Sequence, residues 1–128
     1  MSRSFEEYSE YLSLEKDPNG FDLKTPGAKA DQGKAPLSRG LLGYFPRACL
    51  AVACVSEYGS QKYSWKGWED VPDGQNRYYD ALGRHMAYRA IEGEYDNASG
   101  GKNLHLAQIA WNALATLELF LREKEISK

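Results

Sequence analysis

Leu104-His105-Leu106-Ala107-Gln108-Ile109-Ala110-Trp111-Asn112-Ala113-Leu114 is an apolar run with helical spacing, broken by three polar residues. Leu104, Ala107, Trp111 and Leu114 recur at spacings of three and four, and Leu117 (or Glu118) and Leu121 continue the pattern. That period makes an amphipathic helix with one apolar side. Asn103 precedes it as an N-cap, and the helix runs to about residue 124. His105, Gln108 and Asn112 interrupt the apolar run. Polar groups on a core helix are costly unless partnered, so these three need partners from elsewhere in the chain.

Working back along the chain, a second helix covers residues 77–92 and ends at Gly93. Tyr78, Leu82, His85, Arg89 and Glu92 form one stripe on it. A third helical run, first in chain order, follows Pro46, which suits an N-terminal turn. It continues through Ala48 to Val55 and stops near Gly59, a C-terminal cap. It is apolar nearly all round, so it belongs in the core or at a subunit interface. Cys49 and Cys54 on it lie roughly 140° apart on a helix, cannot bridge to each other, and read as small buried thiols. Residues 61–76 between the first two helices form an irregular loop, of the kind that is often functional. Trp65 and Trp68 in it either stack on a planar ligand or pin the loop to the core. Residues 5–14 make a short helix, Asp17-Pro18-Asn19-Gly20 a turn, and residues 25–36 an aperiodic arm, mobile or laid over a partner surface. The expected architecture is all-α, a small bundle of three main helices (residues 37–128) with a polar N-terminal arm (residues 1–36). So small a bundle, with one helix almost wholly apolar, is expected to oligomerise.

Composition narrows the function. The 128 residues carry sixteen basic and eighteen acidic side chains for a net charge of -2, so no global field recruits nucleic acid. No apolar run is long enough to cross a bilayer. The first residues hold no apolar signal core, which makes a cytoplasmic location the default. Two Cys and two His exclude a Cys-rich zinc module and a disulfide scaffold.

Chemistry concentrates between the last two helices. Glu92-Gly93-Glu94-Tyr95-Asp96 places three carboxylates around a glycine, and hard divalent cations bind carboxylate oxygens. His85 precedes Glu92 by seven residues, and Asn112 follows His105 by seven, so each pair shares a helix face. A short connection lets these helices pack antiparallel, so that His85, Glu92, His105 and Asn112 converge on the acidic loop. Ser99-Gly100-Gly101-Lys102-Asn103 ahead of the last helix is a weak candidate for holding phosphate on free N–H groups. It lacks the full phosphate-loop motif. Lys62 and Arg84 are further cations for a phosphate. No Ser or Cys has a nucleophile's context, which leaves a metal-activated water as the simplest chemistry.

The order of motifs resembles a family. Asp31-Gln32-Gly33-Lys34, Glu57-Tyr58-Gly59-Ser60-Gln61-Lys62-Tyr63, Arg84-His85, Gly93-Glu94-Tyr95-Asp96-Asn97-Ala98-Ser99-Gly100, His105-Leu106-Ala107 and Trp111-Asn112-Ala113-Leu114 resemble the phage dATP/dGTP diphosphohydrolase N-terminal domain family from about residue 27 to residue 121. The resemblance implies a helical fold related to MazG-type nucleotide pyrophosphohydrolases. It implies hydrolysis of a purine dNTP to dNMP and pyrophosphate, a divalent metal, and the cytoplasm of an infected host. Many members carry a second His where this chain has Gln108. The MazG signature Glu-Glu-x-x-Glu is missing from the first helix, where only Glu57 is available.

Under this reading Glu92, Glu94 and Asp96 hold Mg²⁺ or Mn²⁺, with His85, Glu94, Asp96 and His105 as the catalytic set. Lys62, Arg84 and Lys102 hold the polyphosphate, Tyr63 and Trp65 or Trp68 stack on the base, and Asn112 orients a His or touches substrate. The expected partners are a nucleotide and further copies of the chain, with no nucleic-acid polymer and no membrane. A rival from another class is a nucleotide-binding protein that sequesters a signalling nucleotide uncleaved. A third is a structural helical oligomer whose polar residues form a buried network.

Overall fold

The computed structural model describes residues 15–126, with side chains described to residue 124. The helix expected over residues 5–14 lies outside the described residues. The chain divides into two compact units, Met1–Tyr44 and Phe45–Lys128.

In the first unit the described residues are turns stitched by Asp17, whose side chain is 5% exposed. Asp17 Oδ1 accepts from the Asn19 N–H (2.7 Å) and Oδ2 from the Lys29 N–H (2.8 Å). The Gln32 N–H donates to the Lys16 carbonyl at 2.8 Å. The aperiodic stretch after residue 25 is thus tied back to the turn at Asp17, through main-chain amides that sequence patterning does not display. A single π-helical turn, Ser38–Leu42, follows.

The second unit is three helices: α1 (Pro46–Lys62), α2 (Gly74–Glu92) and α3 (His105–Ile126). Short 3-10 turns at Gly67–Asp70 and Asn97–Ser99 sit in the connections. The described residues contain no strand, only an isolated antiparallel bridge between Tyr95 and Leu104, so the all-α expectation holds. None of the described helices is long and apolar enough to cross a membrane.

Helix limits differ from the sequence reading at two ends. α1 passes Gly59 and closes at Tyr63, whose N–H donates to the Gly59 carbonyl at 2.7 Å. Gly59 does not take a positive φ, so it acts as an ordinary helical residue and not as a cap. α2 starts at Gly74 after Asp73 enters the left-handed region (φ 54°). The expected long loop is consequently reduced to the residues between Lys62 and Gly74, with a 3-10 turn inside it.

α3 is the element on which the other two pack. α2 lies antiparallel to it. His85 meets His105 at one end, and Gln75 Nε2 donates to Glu123 Oε2 (2.7 Å) at the other. Gly74 lets the helices approach closely there: a Cβ would stand 2.9 Å from Leu119 Cδ1, so that side chain would have to shift. Between the ends, the rings of Trp68, Tyr78 and Trp111 meet edge-on with centroids 5.5–6.2 Å apart. Edge-to-face pairs of this kind add about 0.5–1.5 kcal/mol each beyond their buried area. The Tyr78 hydroxyl donates to the Trp68 carbonyl, and Trp111 Nε1 donates to Ser56 Oγ, which ties α1 to α3.

The unit's interior is unusual in being polar. Among the described residues the buried apolar side chains are Ala107 and Ala115, while Asp96, Ser99, Asn103, His105 and Asn112 are all buried. α1 buries no residue and Leu50 on it is 70% exposed. Cys49 and Cys54, expected to be buried, are half-buried and exposed. A helix apolar all round that packs on one neighbour must turn its remaining faces outward.

Candidate active site

Gly93, at φ 92°, ends α2 and lets the chain reverse. The returning segment then pairs with the entry to α3: the Asp96 N–H donates to the Asn103 carbonyl (2.9 Å) and the His105 N–H to the Glu94 carbonyl (2.8 Å). The Asp96 carbonyl accepts from Ser99 N–H, Ser99 Oγ and Gly101 N–H. Gly100 and Gly101 take positive φ to close this turn. The loop is therefore a rigid frame that sets Asp96 beside the first residue of α3.

The same frame removes the proposed phosphate loop. The N–H groups of Ser99, Gly100, Gly101, Lys102 and Asn103 donate to Asp96 O, Asn97 O, Asp96 O, Ser99 O and Ser99 Oγ. None of these amides points outward for an anion, and the exposed Lys102 side chain is what the loop still offers one.

His105 is completely buried. Its Nε2 lies 2.6 Å from Glu92 Oε1 and its Nδ1 lies 2.9 Å from His85 Nδ1. A carboxylate only accepts, so the proton of neutral His105 sits on Nε2. Its Nδ1 then presents a lone pair towards His85 and Asp96. Two imidazole nitrogens at that distance either share a proton or face one cation lying to the side of the line that joins them. Asp96 is held from two sides: Gln108 Nε2 donates to Oδ2 (2.7 Å) and the Ala98 N–H to Oδ1 (3.0 Å). His85, Asp96 and His105 each offer one ligand atom, and the three atoms lie within 4.8 Å of one another. Two nitrogens and one carboxylate oxygen are a donor set that fits a divalent cation.

Protonation states suit such a role. Burial pushes His85 below the ordinary histidine value, and the neighbouring His105 and Arg84 side chains add to this against the raising effect of Asp96 and Glu92. The ring is neutral at neutral pH. Burial alone raises Asp96, but the hydrogen bonds from Gln108 and Ala98, with the imidazoles beside it, outweigh that and hold the carboxyl below its usual range.

Of the residues anticipated from sequence, His85, Glu92, Asp96 and His105 come together. Asn112 is buried about two turns further along α3 than His105, where its Nδ2 donates to the Gln108 carbonyl. Glu94 is turned away. Arg89 grips both its oxygens (2.9 and 2.8 Å) and holds its carboxyl below the usual range. Trp68 serves the aromatic cluster, and the Arg122 guanidinium lies over its ring. Lys62 lies over the exposed Tyr63 ring, and Trp65 is 68% exposed. These three make no hydrogen bond or ring contact with the His–Asp cluster among the described residues. Arg84 is exposed, close enough to His85 to affect its protonation.

Two contributors lie beyond the site residues expected from sequence, Gln108 being expected there only as a polar side chain in need of a partner. Gln108 orients Asp96, and its spacing of three from His105 is the signal that points to it. Tyr88, one residue before Arg89, sets its ring 5.9 Å from that of His85 and 6.1 Å from that of His105. Its spacing of three from His85 is consistent with that place.

The family model of the dATP/dGTP diphosphohydrolase N-terminal domain matches residues 24–128. The chain belongs to this family. The buried Asp96, Ser99, Asn103, His105 and Asn112 all fall inside the matched region. No curated protein and no solved structure matches the chain.

Proposed function

We propose that the chain is a metal-dependent hydrolase that converts a purine dNTP, dATP or dGTP, to dNMP and pyrophosphate. The observation that carries this reading is the Glu92–His105–His85 chain, fully buried at its central His105 and closing on buried Asp96, within a sequence that belongs to the diphosphohydrolase family. In the reaction the oxygen of water bonds to the α-phosphorus and the bridging P–O bond to the β-phosphate breaks. Pyrophosphate leaves with the bond's electrons. A divalent metal held by His85, His105 and Asp96 would supply a water of lowered pKa and neutralise phosphate charge. The chain's own groups do the positioning. Glu92 fixes the His105 ring, Gln108 fixes the Asp96 carboxylate, and Arg84 and Lys102 offer exposed cations to the polyphosphate. Tyr88, beside both imidazoles, offers a stacking face for the base, with Tyr63 and Trp65 as outer candidates. Incubating the protein with dATP or dGTP and a divalent metal tests this. Release of dNMP and pyrophosphate supports it; nucleotide recovered intact from a stable complex supports sequestration instead.

We infer further that the working form is a homo-oligomer closed along α3. Leu106, Ala110, Ala113, Leu117 and Phe120 recur at spacings of four, three, four and three, the seam of a helix that packs on another helix. Leu106, Leu114, Leu117 and Phe120 are 44–53% exposed. They lie on the side of α3 away from Asn112 and Ala115. Half-exposed large apolar side chains on successive turns of one helix form a contiguous patch of the kind that marks a protein–protein contact. A second copy is the occupant the seam fits, because an uncharged heptad stripe is complementary to itself across a two-fold axis.

A further inference from the structure

We propose that His85, His105 and Asp96 form a centre for an imidazole-favouring divalent transition ion, Zn²⁺, Fe²⁺ or Co²⁺, and not for Mg²⁺, with Glu92 holding His105 in its ligating orientation. The inference rests on reading the cluster as a metal centre and sharpens that reading to one class of ion.

The donor atoms argue for it first. Mg²⁺ takes oxygen ligands and loses its waters reluctantly, whereas imidazole nitrogen suits Zn²⁺ and Fe²⁺. Sequence reading points to three carboxylates, a hard oxygen set. In the structure Arg89 clamps both oxygens of Glu94, and Glu92 faces the His105 Nε2–H at 2.6 Å. Among the described residues, the Asp96 carboxylate alone joins the two imidazoles in the cluster.

The orientation of the rings argues for it second. A ligating histidine usually donates its other ring N–H to a carboxylate, which fixes the tautomer and aims the free lone pair. Glu92 stands in that position to His105, whose Nδ1 is consequently aimed at His85 Nδ1, 2.9 Å away. Asp96 is braced in the same manner by Gln108 and the Ala98 N–H. An ionised carboxylate has about four lone-pair sites, so these two bonds leave capacity for an ion. A pair of histidines that merely shared a proton would need no third donor so placed.

The test measures ion binding without nucleotide. The full chain, stripped with chelator, is titrated calorimetrically with Zn²⁺, Co²⁺ and Mg²⁺, and the visible absorption of the Co²⁺ form is recorded. The expected result is one Zn²⁺ or Co²⁺ per chain, a Co²⁺ spectrum with nitrogen ligation, and no displacement by millimolar Mg²⁺. Glu92→Gln should keep one ion per chain at affinity lowered about 10–100-fold. His85→Asn, which removes a ligand, should lower it further. His85 and Glu92 are chosen because their side chains reach the surface, whereas variants of the buried His105 risk the fold; far-UV circular dichroism checks that both variants remain helical. Mg²⁺ binding as tightly as Co²⁺ overturns the proposal, as does Co²⁺ affinity unchanged in His85→Asn. Binding of no ion at all overturns it as well, and leaves a shared proton between the two rings. A chain that binds Co²⁺ as expected yet cleaves no dNTP contradicts the hydrolase reading and leaves the ion assignment standing.

Discussion

Replacing Gln108 by Leu isolates one bond of the site at nearly constant side-chain volume. Gln108 Nε2 donates to Asp96 Oδ2 at 2.7 Å. A hydrogen bond to a charged acceptor is worth about 1.5–3 kcal/mol; because Gln108 is only half-buried, about 1–2 kcal/mol is the appropriate expectation here. For a unit of this size that corresponds to a fall in Tm of roughly 4–15 °C at pH 7. The effect should depend on pH in a defined direction. Asp96 is held below its ordinary value of 3.8 in the fold. Its contribution is fully present above 3.8 and is lost as the pH falls through the lower folded value. The gap between wild type and Gln108→Leu should therefore be full at pH 7 and narrow below pH 3.8. Thermal and urea melts of metal-free protein, followed by far-UV circular dichroism, measure both quantities. Equal stability at pH 7, or a gap that persists unchanged into acid, refutes the assignment of Gln108 as the brace of Asp96.

Other outcomes follow from the same structure. The folded His85 pKa lies below its ordinary 6.5, so the unfolded chain takes up a proton first. Metal-free protein should hold constant stability above about pH 7.5 and lose at most about 1.4 kcal/mol per pH unit below 6.5; His85→Gln should flatten this slope, and an unchanged slope assigns it to another group. Leu106→Glu combined with Leu117→Glu should convert the oligomer to a monomer in sedimentation equilibrium at micromolar concentration, whereas an unaltered mass, or a wild type that is already monomeric, places no partner on the α3 seam. Trp111→Ala should cost about 3–5 kcal/mol in urea melts, while Trp65→Ala, at an exposed position, should stay within about 0.5 kcal/mol; equal costs contradict Trp111 as the residue that holds α1, α2 and the 67–70 turn to α3.

Much of this fold is readable in the chain because its helices obey a 3.6-residue period. The apolar side of α3, the caps at Pro46 and Gly93, and the convergence of His85 with His105 all follow from spacing alone. Gly59 misleads because a glycine signals a helix end only where a positive φ is needed, and helical φ is equally open to it. Glu94 and Asp96 look alike in sequence, and what separates them is tertiary: Arg89 claims one, Gln108 and the Ala98 amide hold the other. The glycine-rich loop resembles an anion cradle, yet its amides turn inward onto Asp96 and Ser99. Exposed and buried thiols cannot be distinguished on α1, since an apolar helix reads the same whether it is covered by its own chain or by a partner.

Product analysis is the decisive assay for cleavage of purine dNTPs by the His–Asp cluster. Wild type, His85→Asn and Asp96→Asn are incubated with dATP and dGTP in the presence of Co²⁺ or Mn²⁺, and dNMP and pyrophosphate are quantified by ion-exchange chromatography. The account predicts equimolar dNMP and pyrophosphate from wild type, and turnover reduced at least about 100-fold, on the order of 3 kcal/mol of transition-state stabilisation, in both variants. Intact nucleotide in all reactions, or cleavage unaffected by either substitution, contradicts it.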